Sequence, residues 1–167
     1  MLKSETGMPN ERGFTLIEIL VVILIVGIAA SVTLLAFGDF GASRRVQLSA
    51  EQFVTYLKLV QQRAILEMNT LGVNINKDGY GTYRFVQAKT WEPMPGKSLF
   101  HWQTFPKSIH VSLKTTIKNN TKSPDIIISP TGNLSAFTLS FGTETEPDLV
   151  SVIGAHNGEV IIRPGKK

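Results

Sequence analysis

Residues 14–38 read FTLIEILVVILIVGIAASVTLLAFG, and Glu18 is the single ionisable side chain among them. At about 1.5 Å per residue a helix of this length reaches about 37 Å, enough to cross a hydrocarbon core of about 30 Å. Val and Ile are frequent, yet a lone strand in lipid leaves its backbone polar groups unpaired, so the segment is predicted as a transmembrane helix. The rival reading is a secretory signal cut after Ala29-Ala30-Ser31. An h-region spans about 7–15 residues, carries no acid and stops at its cleavage site. This one holds Glu18 and continues through Val32, Leu34, Leu35 and Phe37. Lys3 and Arg12 precede the span while Arg44 and Arg45 follow it, so basic residues balance and assign no orientation.

Around that segment the chain is short, 167 residues, which bounds it to one modest domain with an appendage and excludes a large multidomain enzyme. The absence of cysteine rules out disulfides, thiolate metal sites and a cysteine nucleophile. A formal charge of +4 permits contact with anionic lipid or nucleic acid without requiring either.

A carboxylate inside an apolar span is costly and tends to mark function. Glu18 lies one turn inside the stretch, where the bland reading has it reach the headgroups and benefit from the positive end of the helix dipole.

The run Arg12-Gly13-Phe14-Thr15-Leu16-Ile17-Glu18 resembles the processing site of type IV prepilins and type II secretion pseudopilins. The resemblance implies cleavage between Gly13 and Phe14 by a prepilin peptidase, methylation of the new Phe14 amine, and a leader of residues 1–13. It also implies that Glu18 pairs with the Phe14 amine of an adjacent subunit during assembly. Packing helices would bring an amine and a carboxylate together in low dielectric, where each neutralises the other. Many relatives in the superfamily carry a helix-breaking proline near the position of Leu35. Here none occurs between Phe14 and Arg63, so the helix is expected to stay continuous.

Beyond Gly41, Val46, Ala50, Phe53, Leu57, Val60, Ala64 and Met68 recur at steps of three and four, the pattern of an amphipathic helix seeking a core. From Leu71 the period shortens to two. Strands are predicted near 72–75, 82–87, 109–116, 125–129, 136–141, 149–153 and 159–163. Lys77-Asp78-Gly79 and Asn157-Gly158 are hairpin signals, the second pairing the last two strands. The segment 90–107 has no clear period and reads as a long loop docking Trp91, Phe100, Trp102 and Phe105 on the core, while 114–123 reads as a polar, basic loop.

One long helix followed only by strands is similar to the pilin scheme, and among subfamilies the likeness is to pseudopilin H of the type II secretion system. VTLLAFG (32–38), QQRAILE (61–67), DGYGTYRF (78–85), TWEPMPGKSLF (90–100), ISPTGNLSAFTLSF (128–141) and NGEVIIR (157–163) carry it. The implied fold is α+β, a helical spine packed on a C-terminal antiparallel sheet domain: leader 1–13, transmembrane helix 14–38, amphipathic periplasmic continuation 39–70 and periplasmic β-domain 71–167. The implied location is the bacterial inner membrane, single-pass. Implied partners are other pseudopilins, the prepilin peptidase, an inner-membrane assembly platform and membrane lipid. The loops near Trp91 and Glu144 are expected to carry partner choice.

No catalytic constellation is present. His101, His110 and His156 are scattered, no phosphate loop or nucleophile elbow occurs, and the chain is expected to be a peptidase substrate, no enzyme itself, with no cofactor or metal. Glu144, Glu146 and Asp148 offer oxygen ligands for calcium, but alternate residues of an extended loop need not converge. The alternative function is a minor pilin of a type IV pilus or DNA-uptake filament, gripping DNA through Lys114, Lys118 and Lys122 and the tail Arg163, Lys166 and Lys167. Solvated surface is the simpler reading of those lysines, so nucleic acid is not expected as a partner.

Overall fold

The computed structural model describes residues 14–96, 98–116 and 123–165, the side chains of 34–40 excepted. The expected leader, Lys118, Lys122 and most of the basic 114–123 segment, and the tail lysines Lys166 and Lys167 lie outside the described residues. The chain divides into two compact units, Met1–Asp39 and Phe40–Lys167.

A single helix, α1 (Leu16–Leu66), runs for 51 residues with no proline to interrupt its hydrogen bonds. It ends in a Schellman arrangement: Asn69 N–H donates to Ala64 O (3.1 Å) and Met68 N–H to Ile65 O (3.2 Å), with Met68 left-handed at φ 51°. This corrects the expected apolar face at one position. Val46, Ala50, Phe53, Leu57, Val60 and Ala64 are all buried, but Met68 sits past the last turn and is 79% exposed.

In the second unit that helical face meets two antiparallel sheets. The first is built from β1 (Leu71–Ile75), β2 (Gly79–Val86), β3 (Thr90–Pro93), β4 (Gln103–Thr104) and β6 (Ile126–Ile128), in the order β3-β2-β1-β6 with β4 also on β2. The second contains β5 (His110–Thr115), β7 (Phe137–Gly142), β8 (Val150–Gly154) and β9 (Val160–Pro164), in the order β5-β7-β8-β9. Phe53 joins the helix to both sheets, its ring 5.1 Å from Tyr80 on β2 and 6.4 and 6.1 Å from Phe137 and Phe141 on β7. Ile126, Ile128, Leu139 and Val152 complete a fully buried cluster around it.

All seven expected strands form, and both hairpins close as expected. Ile75 pairs with Tyr80 across a turn in which Asn76 Oδ1 accepts from the N–H groups of Asp78 (2.8 Å) and Gly79 (2.9 Å). Gly154 pairs with Val160 across a turn whose Gly158 has φ 88°, a region that favours glycine. The aperiodic segment 90–107 is not wholly a loop, since β3 and β4 lie within it. They are too short to show a period, and β2 supplies their pairing at Arg84↔Glu92 and Tyr80↔Gln103. The segment does dock aromatics: Phe105 is buried 5.0 Å from Tyr80, and Trp91 leans on Phe85 at 4.8 Å.

Three polar ties fasten the helix to this unit. Tyr56 Oη shares a 2.7 Å hydrogen bond with Thr82 Oγ1 on β2 and donates to Phe100 O (3.2 Å). Burial pushes that phenol up to about 12. Glu67 accepts from Arg84 Nη2 on β2 (2.9 and 3.1 Å) while also pairing with Arg63 one turn earlier. The Gln61 amide donates both of its protons, one to Gly158 O in the last hairpin (2.8 Å) and one to Gly132 O in the turn after β6 (3.2 Å).

Candidate assembly site

Of the three expected functional residues, Phe14 and Glu18 are described and stand at the beginning of α1. Gly13 lies outside the described residues; Phe14 is exposed and precedes the helix, and Glu18 is in its first turn. Thr15 caps this end. Its carbonyl accepts from Glu18 N–H (3.0 Å) and Ile19 N–H (3.3 Å), and its Oγ1 lies 3.4 Å from Glu18 N. Thr15-x-x-Glu18 is thus the capping-box pattern, a role for Thr15 that the sequence reading passed over although the T-x-x-E signal ahead of an apolar run was available. Glu18 complements the positive helix terminus and makes no ion pair among the described residues.

Leu16–Thr33 is long and apolar enough to cross a membrane, and none of it is buried. Soluble monomers rarely expose an apolar surface of that size, so the segment suits anchoring in a membrane. Its two hydroxyls are satisfied internally, Ser31 Oγ donating to Gly27 O and Thr33 Oγ1 to Ala29 O, both at 2.8 Å, so neither carries an unpaired polar group into an apolar surrounding.

Elsewhere the candidate residues do not converge. Among the described residues no three His, Asp or Glu side chains gather as a cation site. Glu144 and Glu146 are exposed, and Asp148 Oδ1 accepts from Ser151 Oγ (2.8 Å). His101 Nδ1 is bonded to Ser98 O and His156 Nδ1 to Leu134 O (3.1 Å), while His110 is exposed at the start of β5. Lys114 on β5 and Arg163 on β9 stand on opposite edge strands of the second sheet, so these two do not form one basic patch.

A capped, charge-bearing apolar helix that continues into the core of an antiparallel β unit defines the pilin-like class of filament subunits. Residues 8–34 match the prokaryotic N-terminal methylation motif. The type II secretion system protein H of Pseudomonas aeruginosa is 30% identical over 143 residues, covering 79% of this chain and 83% of that protein, and its Escherichia coli K12 counterpart is 27% identical over 139 residues, covering 79% and 81%. The chain belongs to the type II secretion system protein H family, the minor pseudopilins. Its fold is that of the minor pseudopilin EpsH of Vibrio cholerae (TM-score 0.62, 20% identity, 74% of this chain and 99% of that one). The Escherichia coli GspH solution structure gives TM-score 0.62 at 15% identity, covering 74% and 91%. These relatives favour the secretion reading over the pilus or DNA-uptake alternative.

Proposed function

We propose that this chain is a minor structural subunit of the type II secretion pseudopilus, a filament that helps move folded proteins across the outer membrane. One observation carries the reading: an uncovered apolar helix of membrane length whose only charge, Glu18, sits in its capped first turn, directly after Gly13-Phe14. In this scheme a prepilin peptidase cuts between Gly13 and Phe14 and the Phe14 amine is methylated. Residues 14–38 hold the chain in the inner membrane, residues 39–70 continue the helix outside it, and residues 71–167 form the periplasmic domain. An inner-membrane platform then lifts subunits out of the bilayer. As helices pack, the Phe14 amine of one subunit meets Glu18 of the next. In low dielectric an unpaired carboxylate is strongly unfavourable, so the pair sets the axial register between neighbours. The chain acts mechanically and is a substrate of the peptidase, with no catalytic role of its own.

The test is the mature N-terminus and the fate of one variant. Mass spectrometry of the chain from cells with active peptidase should find a methylated Phe14 as first residue. Glu18→Ala should enter the membrane at the parental level yet fail to join the filament. A mature chain beginning at Met1, or within or just after Ala29-Ala30-Ser31, refutes the reading, and normal incorporation of Glu18→Ala removes that residue from the assembly site. Salt-sensitive retention of duplex DNA by the purified chain would revive the DNA-uptake alternative.

A further inference from the structure

The outer face of the five-stranded sheet carries an arrangement that the core does not require. Leu71, Val73 and Ile75 of β1 point into the core, so Gly72 and Asn74 face outward, and the register places Tyr83 and Phe85 of β2 and Trp91 of β3 on that same outer side. Gly72 makes the packing there workable. A Cβ at that position would come within 2.5 Å of Pro124 Cγ and 2.9 Å of Trp91 Cζ3, so only a glycine lets the indole and the proline ring settle together on the strand. Phe85 steadies the indole from the side, with centroids 4.8 Å apart and planes tilted by 38°.

Beside this aromatic floor opens a hollow of about 560 Å³. Asn74, Tyr83, Lys89 and Ser123 line it, and the side chains of these four make no hydrogen bond to any described residue. Lys89 is the one charged group among the described residues that line it. Asp125, two residues beyond Ser123, turns its Oδ2 to Ile75 N–H (2.8 Å), and Glu92, the acid nearest to Lys89 in sequence, forms no ion pair with it. A preformed aromatic floor, several side chains with unspent hydrogen-bonding capacity and a cation that forms no ion pair among the described residues together describe a site for an anionic group attached to an apolar one.

We propose that this hollow docks an acidic segment of a partner protein. A partner carboxylate sits against Lys89, with the amide of Asn74 and the hydroxyls of Tyr83 and Ser123 donating to it or its neighbours, while an adjoining apolar side chain lies on Trp91. Identifying the partner as a component of the secretion machinery rests on the function proposed above; the binding itself does not.

The chain holds two tryptophans, so full-length Trp102→Phe in detergent micelles leaves Trp91 as the sole indole reporter beside the hollow. The probes are an acetylated peptide of alternating Glu and Leu, its Gln-for-Glu isostere, and chitotriose; calorimetry on the unsubstituted chain serves as a second measurement independent of Trp102. The acidic peptide should shift Trp91 emission saturably, bind more weakly in high salt, and lose about fivefold or more in affinity in Lys89→Gln, whose exposed position leaves thermal unfolding unchanged. Equal binding of the Gln isostere, saturation by chitotriose instead of peptide, or no response to the acidic peptide by either measurement overturns the proposal. A chain that is processed at Gly13 but ignores the peptide sinks the docking site alone. One that binds the peptide but keeps its leader sinks the filament reading alone.

Discussion

Replacing Gln61 by Leu keeps the bulk of the side chain but removes both protons that reach Gly132 O and Gly158 O. Each neutral hydrogen bond contributes about 0.5–1.5 kcal/mol net, and because the site is only part-buried water compensates in part, so the loss should be about 1–2 kcal/mol. For a unit of this size that corresponds to a fall in Tm of about 3–8 °C. Both tryptophans lie in the Phe40–Lys167 unit, so their fluorescence follows its unfolding in the detergent-solubilised full chain. Amide exchange should speed up at Gly158, whose N–H is bonded to Ala155 O (3.0 Å) across the turn that Gln61 holds.

Gln61→Glu sharpens the test through pH. An ionised carboxylate facing two carbonyl oxygens has no proton to give, so folding raises the pKa of this new group above its unfolded value of about 4.3. Below that unfolded value the group is protonated in both states, and its O–H donates to one carbonyl. The stability so gained is lost as pH rises through the folded pKa. Relative to the parent at each pH, the Gln61→Glu deficit should therefore grow from acid to neutral pH while the Gln61→Leu deficit stays level. A Gln61→Leu chain within about 0.5 kcal/mol of the parent, or a Gln61→Glu deficit that ignores pH, would refute the idea that these bonds clasp the two turns to the helix.

Phe53→Ala empties a fully buried site between helix and both sheets, and should cost about 3–5 kcal/mol, seen as loss of the cooperative fluorescence transition or rapid proteolysis. Ultraviolet titration of tyrosinate should show Tyr56 ionising near pH 12, a component missing in Tyr56→Phe. Because burial raises this folded pKa above 10, the stabilisation is present below pH 10 and drains away between about pH 10 and 12. Gly72→Ala should displace the Trp91 indole, visible as a red-shifted emission in a Trp102→Phe background, with loss of peptide affinity at the hollow. Unchanged emission would mean that the ring is not seated on that glycine.

The amino-acid order alone determined the helix, because membrane-length apolarity without proline and a three-to-four-residue repeat from Val46 to Ala64 are local properties that allow one solution. The same holds for the hairpins at Lys77-Asp78-Gly79 and Asn157-Gly158, where turn chemistry is carried by the residues themselves, although Asn76 as the acceptor that closes the first turn came only with the structure. Glu18 as the residue to explain was legible too, since a lone charge in such a stretch stands out without any fold. Tertiary structure decided the rest. Met68 keeps the helical spacing yet faces water, because the Schellman turn rotates it off the face. β3 and β4 exist because β2 offers them partners, and strands of four and two residues have no period to read. Trp91, Asn74, Tyr83 and Ser123 come from separate segments, and only the antiparallel register brings them to one outer face. Local sequence encodes what neighbouring residues do together, whereas a hollow assembled from distant strands depends on pairings that only the folded chain makes.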